Sequence, residues 1–400
     1  MKKPNVVIIL MDTMRRDEFA RLEWRHGSLH DLGFLFLDNC IAPSSWTLPS
    51  HASLFTGLYP SKHGAHETKT VKSLDIDNIR LKLPTFVKDL SRMGYKSHGI
   101  SANPYVHPIY GFSDFDVFEE ESYFTDIFGS VIEVADHLKP RIAKYRNVEG
   151  SNLIKLSRNM LMNDPNLFFE AVGSAARRSP GAAFKKLRAK MIEGWPIEKG
   201  GMNTVRRVKE IDFEDQYLLF INLMEAHDPY IGKKGMDFNW STPFKKEAPG
   251  ESLVAHWKRL YSTASERAYK YTVEIVRSMM YDNGGEQLFV VTSDHGQAFN
   301  EHGFIGHGTV LYDEVLRIPM AIKMPYSGYA MPSGKGYCSL INVKKFVLDA
   351  IKHSRSALKN FENRSVAAES FGIPANITIT DDVDENKIKA LERYEIRKFT

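Results

Sequence analysis

The segment Thr47-Leu48-Pro49-Ser50-His51-Ala52-Ser53-Leu54-Phe55-Thr56-Gly57 is where this sequence is best equipped for chemistry. Pro49 and Ser50 suit the first turn of a helix, and Ala52, Leu54 and Phe55 have the spacing of a buried helix face. Thr47 would then stand at the positive end of that helix. Unpaired backbone N–H groups there favour an anion, and equally the alkoxide form of a hydroxyl. Ionisable residues gather in a few other places: Asp12 after an apolar run, Glu225-Ala226-His227-Asp228-Pro229-Tyr230, and Ser293-Asp294-His295-Gly296 continuing through Glu301-His302-Gly303 and Gly306-His307-Gly308.

Positioning these groups requires a scaffold, and the pattern supplies one. Val6 to Leu10 is a continuous β-branched and aliphatic run, as in a strand covered on both faces of a parallel sheet. Similar runs recur at Tyr217 to Leu223 and Leu288 to Thr292, with helical segments such as Leu83 to Met93 between. Strands alternating with helices predict an α/β fold with a mainly parallel central sheet. Ligands bind beyond the carboxyl ends of such strands, so all three runs should deliver their polar residues to one edge. Residues 119–214 lack strand runs, carry breakers at Pro140, Pro165, Pro180 and Pro196, and read as a basic helical insertion or cap in a core of 1–118 and 215–400. From Lys139 to Lys209 there are 16 Lys and Arg against 5 Asp and Glu, either a solvated surface or a cap that attracts anions.

Taken together, these motifs resemble the sulfatase signature, in which Cys or Ser, any residue, Pro, Ser and Arg precede a helix ending in Thr-Gly. Tyr59-Pro60 and His63-Gly64 also fit, and the order of the other motifs matches that family from Asn5 to about Pro325. The resemblance implies the fold of the alkaline phosphatase superfamily. The departures are chemical. Thr47 holds the nucleophile position, where only Cys or Ser can be oxidised to formylglycine. His51 replaces the usual Arg, His295 stands where Asn is common, His307 where Lys is common, and Thr13 where many members have a second Asp. Such a set is similar to the threonine-using branch, with its phosphodiesterases, phosphonate monoester hydrolases and phosphoglycerol transferases.

Elementary coordination chemistry reaches a similar site. Asp12 and Asp294 offer hard oxygen ligands, His295 an imidazole, and Thr47 an alkoxide as fourth ligand. One histidine in the set tilts the expectation for a single divalent ion toward Mn²⁺ or Zn²⁺, with Ca²⁺ or Mg²⁺ possible. His227 and His307 are candidates for binding the transferred group and protonating the leaving oxygen. His51, one turn into the helix, and Asn103, after the Lys96 to Ser101 strand, are candidates for contacting the phosphoryl oxygens. His63, His66, His98, His302 and Glu301 read as structural or rim residues, and Asp228 as an Asx-turn residue. A two-metal phosphatase would need a second Asp and His cluster, and none assembles from the remaining motifs.

Composition narrows the partners. The net charge of +4, from 53 basic and 49 acidic residues, is too balanced to imply nucleic acid, which leaves a small anionic ester as the expected substrate. Cys40 and Cys338 are the only cysteines, too few for a disulfide framework or a cysteine-rich zinc site, and fit a reducing compartment. Lys2 and Lys3 before Val6 imitate a signal peptide, but the apolar run is short and meets Asp12, Arg15 and Arg16 instead of a cleavage site. With no stretch long enough to span a membrane, a cytoplasmic enzyme is expected, as monomer or homo-oligomer. Tyr394 to Thr400 alternates like a strand with no turn after it, as if a short C-terminal piece were to follow. The leading expectation is hydrolysis of a phosphate-type ester. Its rivals are phosphoryl transfer to a sugar or lipid hydroxyl, sulfate-ester hydrolysis without formylglycine, and an inert homologue that binds anions.

Overall fold

The structure, a computed structural model, describes residues 3–67, 76–121, 199–213, 216–228, 242–282, 286–373 and 382–400, with positions 164, 166 and 230. The chain divides into two compact units, Met1–Glu121 with Glu198–Thr400, and Ser122–Ile197. All elements named here belong to the first. Most of the insertion expected over 119–214 lies outside the described residues.

In chain order the strands are β1 (Asn5–Met11), β2 (Leu35–Phe36), β3 (Cys40–Ile41), β4 (Lys96–Ser101), β5 (Val117–Glu120), β6 (Tyr217–Leu223), β7 (Gln287–Thr292), β8 (Ala298–Phe299), β9 (Ile305–Gly306), β10 (Arg317–Ile318), β11 (Met320–Lys323), β12 (Cys338–Ser339), β13 (Val366–Ser370) and β14 (Glu395–Phe399). The central sheet has the order β2-β11-β7-β1-β6-β4-β5. It is parallel from β7 to β5, while β11 runs antiparallel to β7 and β2. Thus β6 and β7, two of the three apolar runs, flank the third, β1. Smaller sheets join β10-β3-β12, β13-β14 and β8-β9. The C-terminal alternation becomes β14, paired antiparallel with β13.

Both faces of the sheet are covered, which explains why its strands are apolar without alternation. Val6, Ile8 and Leu10 feed one core, with Leu48, Ala52 and Phe55 of the Thr47–Thr56 helix and Val343, Phe346 and Val347 of the Val343–Ile351 helix. Val7, Ile9 and Met11 feed the other, with Trp257, Tyr261 and Ile275 of the long Glu251–Asp282 helix and Val205 and Val208 of the Gly201–Glu210 helix. Phe55 anchors the Thr47 helix among Phe86, Phe112 and Phe220, with ring centroids 5.6, 5.4 and 4.9 Å away.

The register brings the carboxyl ends of β1, β4, β6 and β7 level, Leu10 lying beside both Asn222 and Thr292, and Ser101 beside Asn222. Just beyond those ends lie Asp12, Asn103, Met224 to Asp228, and Asp294 with His295. Among the described residues no helix is long and apolar enough to cross a membrane.

Candidate active site

Thr47 is the first residue of the Thr47–Thr56 helix, preceded by the extended Trp46. Its hydroxyl Oγ1 lies 3.4 Å from His295 Nε2 and accepts a long hydrogen bond of 3.4 Å from Asn103 Nδ2. Asn103 Nδ2 also donates to Asp12 Oδ2 at 2.7 Å. Two backbone groups hold the other carboxylate: Thr13 N and His295 N donate to Asp294 Oδ1 at 3.2 and 2.9 Å. Thr13 has φ 58°, strained for a β-branched residue, and this sharp turn after β1 aims its N–H at Asp294. The turn is braced from the long helix, since Tyr261 Oη accepts from Arg15 N at 2.8 Å and donates to Thr13 O at 3.0 Å. Asp12, Thr47, Asp294, His295 and Asn103 are therefore neighbours, although they come from four separate parts of the chain.

The electrostatics call for a cation. His295 Nδ1 donates to Gly296 O at 2.9 Å, so the lone pair of the neutral ring sits on Nε2. That atom faces Asp294 Oδ2 at 3.3 Å and Asp12 Oδ1 at 4.0 Å. Both oxygens are buried without a hydrogen-bond partner. Burial holds His295 down to about 4. Burial, and then the neighbouring Asp294, push Asp12 up to about 6, while burial alone carries Asp294 to about 6 against its N–H donors. An imidazole lone pair converging with two orphaned carboxylate oxygens is a donor set that fits a divalent ion. Asp12, Asp294 and His295 indeed form one of two described clusters able to hold a metal.

His227, Asp228 and His307 form the other. His307 Nδ1 donates to Gln297 Oε1 at 2.5 Å, and Gln297 is itself held by Tyr230 Oη at 3.0 Å. His227 Nδ1 donates to Asp228 O at 2.5 Å. The His307 ring stands 5.0 Å from that of His227 and 4.4 Å from that of His295, so the two clusters adjoin. Asp228, expected only to shape a turn, has a buried Oδ1 with no hydrogen-bond partner. The second Asp and His cluster that the motifs did not yield is thus assembled by folding.

His51 is placed differently from a substrate contact. It is fully buried, edge-on to Phe112 and Phe220, with Nδ1 2.9 Å from Thr47 O and Nε2 3.2 Å from Asn222 Nδ2. Because Thr47 O can only accept, Nδ1 carries the proton and Nε2 accepts from Asn222, so both ring nitrogens are engaged beneath the helix. Asn103 touches Asp12 and Thr47 directly. Glu301 pairs with Arg15 at 2.6 Å and His63 with Ser53 at 3.0 Å, both as structural residues.

Lys199 is a residue that sequence reasoning missed. Buried, its ammonium donates to the carbonyls of His227 and, at 3.4 Å, Glu225. Burial lowers it to about 8 against the attraction of Asp228, Glu225 and Asp12. The available signal was the following Gly200-Gly201 pair, because a Cβ on Gly201 would come within 2.6 Å of Glu225 Oε1.

The fold is a sulfatase-like α/β fold, with a mostly parallel central sheet flanked by helices. No family model matches it. The chain is 19% identical to the uncharacterized sulfatase YidJ of Escherichia coli (strain K12), over 96% of this chain and 78% of that protein. In fold it is similar to a 2-O GAG sulfatase (TM-score 0.57, 14% identity, 92% and 78% of the two chains). It is similar also to the phosphonate monoester hydrolase of Agrobacterium radiobacter (0.56, 13%, 97% and 83%) and to the Zn complex of the C-terminal periplasmic domain of EptC from Escherichia coli (0.54, 11%, 88% and 83%).

Proposed function

We propose that the protein is a metal-dependent hydrolase that cleaves a phosphate-type ester (diester, monoester or phosphonate ester) through a phospho-Thr47 intermediate. The observation that carries this reading is the convergence on the Thr47 hydroxyl of His295, Asn103 and the Asp12 and Asp294 carboxylates, at the mouth of a helix. A divalent ion held by Asp12, Asp294, His295 and Thr47 would lower the pKa of the hydroxyl and bind a phosphoryl oxygen; the imidazole ligand favours Mn²⁺ or Zn²⁺ over Ca²⁺ or Mg²⁺. Thr47 Oγ1 attacks phosphorus as the leaving oxygen departs in line, and His227 or His307 supplies its proton. The first-turn N–H groups of the helix face the charge that builds on the phosphoryl oxygens. Water then cleaves the Thr47 ester. His51 and Asn103 act as positioning residues for the threonine and its carboxylate neighbour.

Threonine cannot become formylglycine, which disfavours sulfate esters, and the likeness to a phosphonate monoester hydrolase supports phosphorus chemistry. Transfer to an acceptor hydroxyl is the second reading, supported by the likeness to EptC, a protein named as a phosphoethanolamine transferase in its Campylobacter jejuni form. In an alternative to the proton-donor role of the two histidines, the His227, Asp228 and His307 cluster would hold a second ion, and water would then supply the leaving-group proton. One set of assays tests these readings: metal content, then turnover of aryl phosphate monoesters, diesters, phosphonates and sulfates with each ion, with and without glycerol as acceptor, alongside Thr47→Ala. A diester or phosphonate is expected to react fastest, and Thr47→Ala to lower the rate by roughly three orders of magnitude or more. Undiminished turnover in that variant would refute the nucleophile, and a protein that takes up no divalent ion would be the inert homologue.

A further inference from the structure

The two cysteines of this chain lie far apart in sequence, yet the fold sets them face to face. Cys40 on β3 and Cys338 on β12 are partners in a parallel pair, so their side chains leave the same face of that sheet. Adjacent strands stand about 4.8 Å apart, inside the roughly 4.4–6.8 Å window between Cα atoms that a disulfide bridges. Cys338 N is tied to Asn39 O at 2.9 Å. Both are buried thiols in this structure.

We propose that Cys40 and Cys338 become a disulfide when the chain folds in the presence of a small-molecule disulfide such as oxidised glutathione, stapling the strand that feeds Thr47 to the strand that feeds the helix beneath it. The chemistry is two exchanges. One cysteine thiolate attacks the oxidant's sulfur and releases a thiol. The second then attacks the mixed disulfide, forming the Cys40–Cys338 bond and releasing another thiol. Two electrons and the two thiol protons leave with the reduced oxidant. Burial, and then Cys338 itself, push the Cys40 thiol up, and with both side chains buried an oxidant has no open path to the sulfurs. Exchange therefore belongs to the folding chain, and the finished fold preserves whichever state it acquired.

The position gives the bond its consequence. From β3 the chain runs through Ser44 and Ser45, which are pinned by Ser50 Oγ donating to Ser44 O at 3.1 Å and Gly308 N to Ser45 O at 2.7 Å, and then into Thr47. From β12 it runs into the Val343–Ile351 helix, which shares a core with Leu54 and Phe55 of the Thr47 helix. Protein unfolded in urea and refolded either with a glutathione redox mixture or with dithiothreitol tests this. The glutathione sample is expected to lose two hydrogens by intact mass, to yield a Cys40–Cys338 linked peptide, and to melt about 5 °C above the reduced sample. Cys338→Ser should abolish the rise, and folded reduced protein should resist the same mixture for far longer. Two titratable thiols after redox refolding, glutathione adducts or intermolecular dimers in place of the internal bond, or a linked protein with no rise in melting temperature would each overturn the proposal.

Discussion

Asn103 shows how a single amide can govern a charged site. Its Nδ2 reaches Asp12 Oδ2 at 2.7 Å and Thr47 Oγ1 at 3.4 Å, joining a carboxylate and a hydroxyl. Asn103→Leu keeps the approximate volume and removes the donor. It should lower kcat about 10–100-fold, as lost outer hydrogen bonds around metal ligands do, with folding little changed; steady-state kinetics and far-ultraviolet circular dichroism would check this. At this scale the sequence was legible where a residue type is rare in its setting: a threonine before Pro-Ser, or Asp-His-Gly after an apolar run. It was less legible for His51. Spacing of four places its ring over the Thr47 carbonyl, but the apolar face of the helix turns that ring toward Phe112 and Phe220 and away from open space. Asp228 was not legible at all, because His-Asp-Pro reads as a turn and its partner His307 arrives from a distant loop.

Among the elements, the loop after β7 makes the tightest demand. Gly296 N donates to Val315 O at 2.7 Å, and a Cβ at this glycine would lie 2.2 Å from Glu314 O. Backbone cannot yield as a side-chain tip can, so Gly296→Ala must displace the loop that carries Asp294 and His295. A loss of about 1–3 kcal/mol in denaturant unfolding is expected, with weaker ion retention in dialysis. An alanine variant that binds its ion as the parent does would show that this contact is dispensable. The strands were the most legible elements: β1, β6 and β7 match their apolar runs to within a residue or two, because strands buried on both faces leave continuous aliphatic stretches. Short strands such as β3, β10 and β12, each of two residues, carry no such period and emerged only from the folded chain.

For the molecule as a whole, the site is a store of unfavourable burial. Asp12 and Asp294 have folded values near 6 against an ordinary 3.8, so without an ion the fold binds their protons more tightly than the unfolded chain does. That contribution is present at low pH and is lost as pH rises from about 4 to about 6. A divalent ion competes with those same protons, so its benefit grows over the same interval. The gap in melting temperature between ion-loaded and EDTA-treated protein should therefore widen from about pH 4 to about pH 6, measurable by scanning fluorimetry. A gap that stays flat would mean that these carboxylates do not hold the ion.

The level strand ends have one more consequence. Asp12 and Asp294 are 282 positions apart, yet the N–H of Thr13, next to Asp12, donates to Asp294 Oδ1 across adjacent strands. Neither half of the chain can make the centre alone: the cluster exists only where the ribbon from the first residues closes against the one laid down almost three hundred positions later.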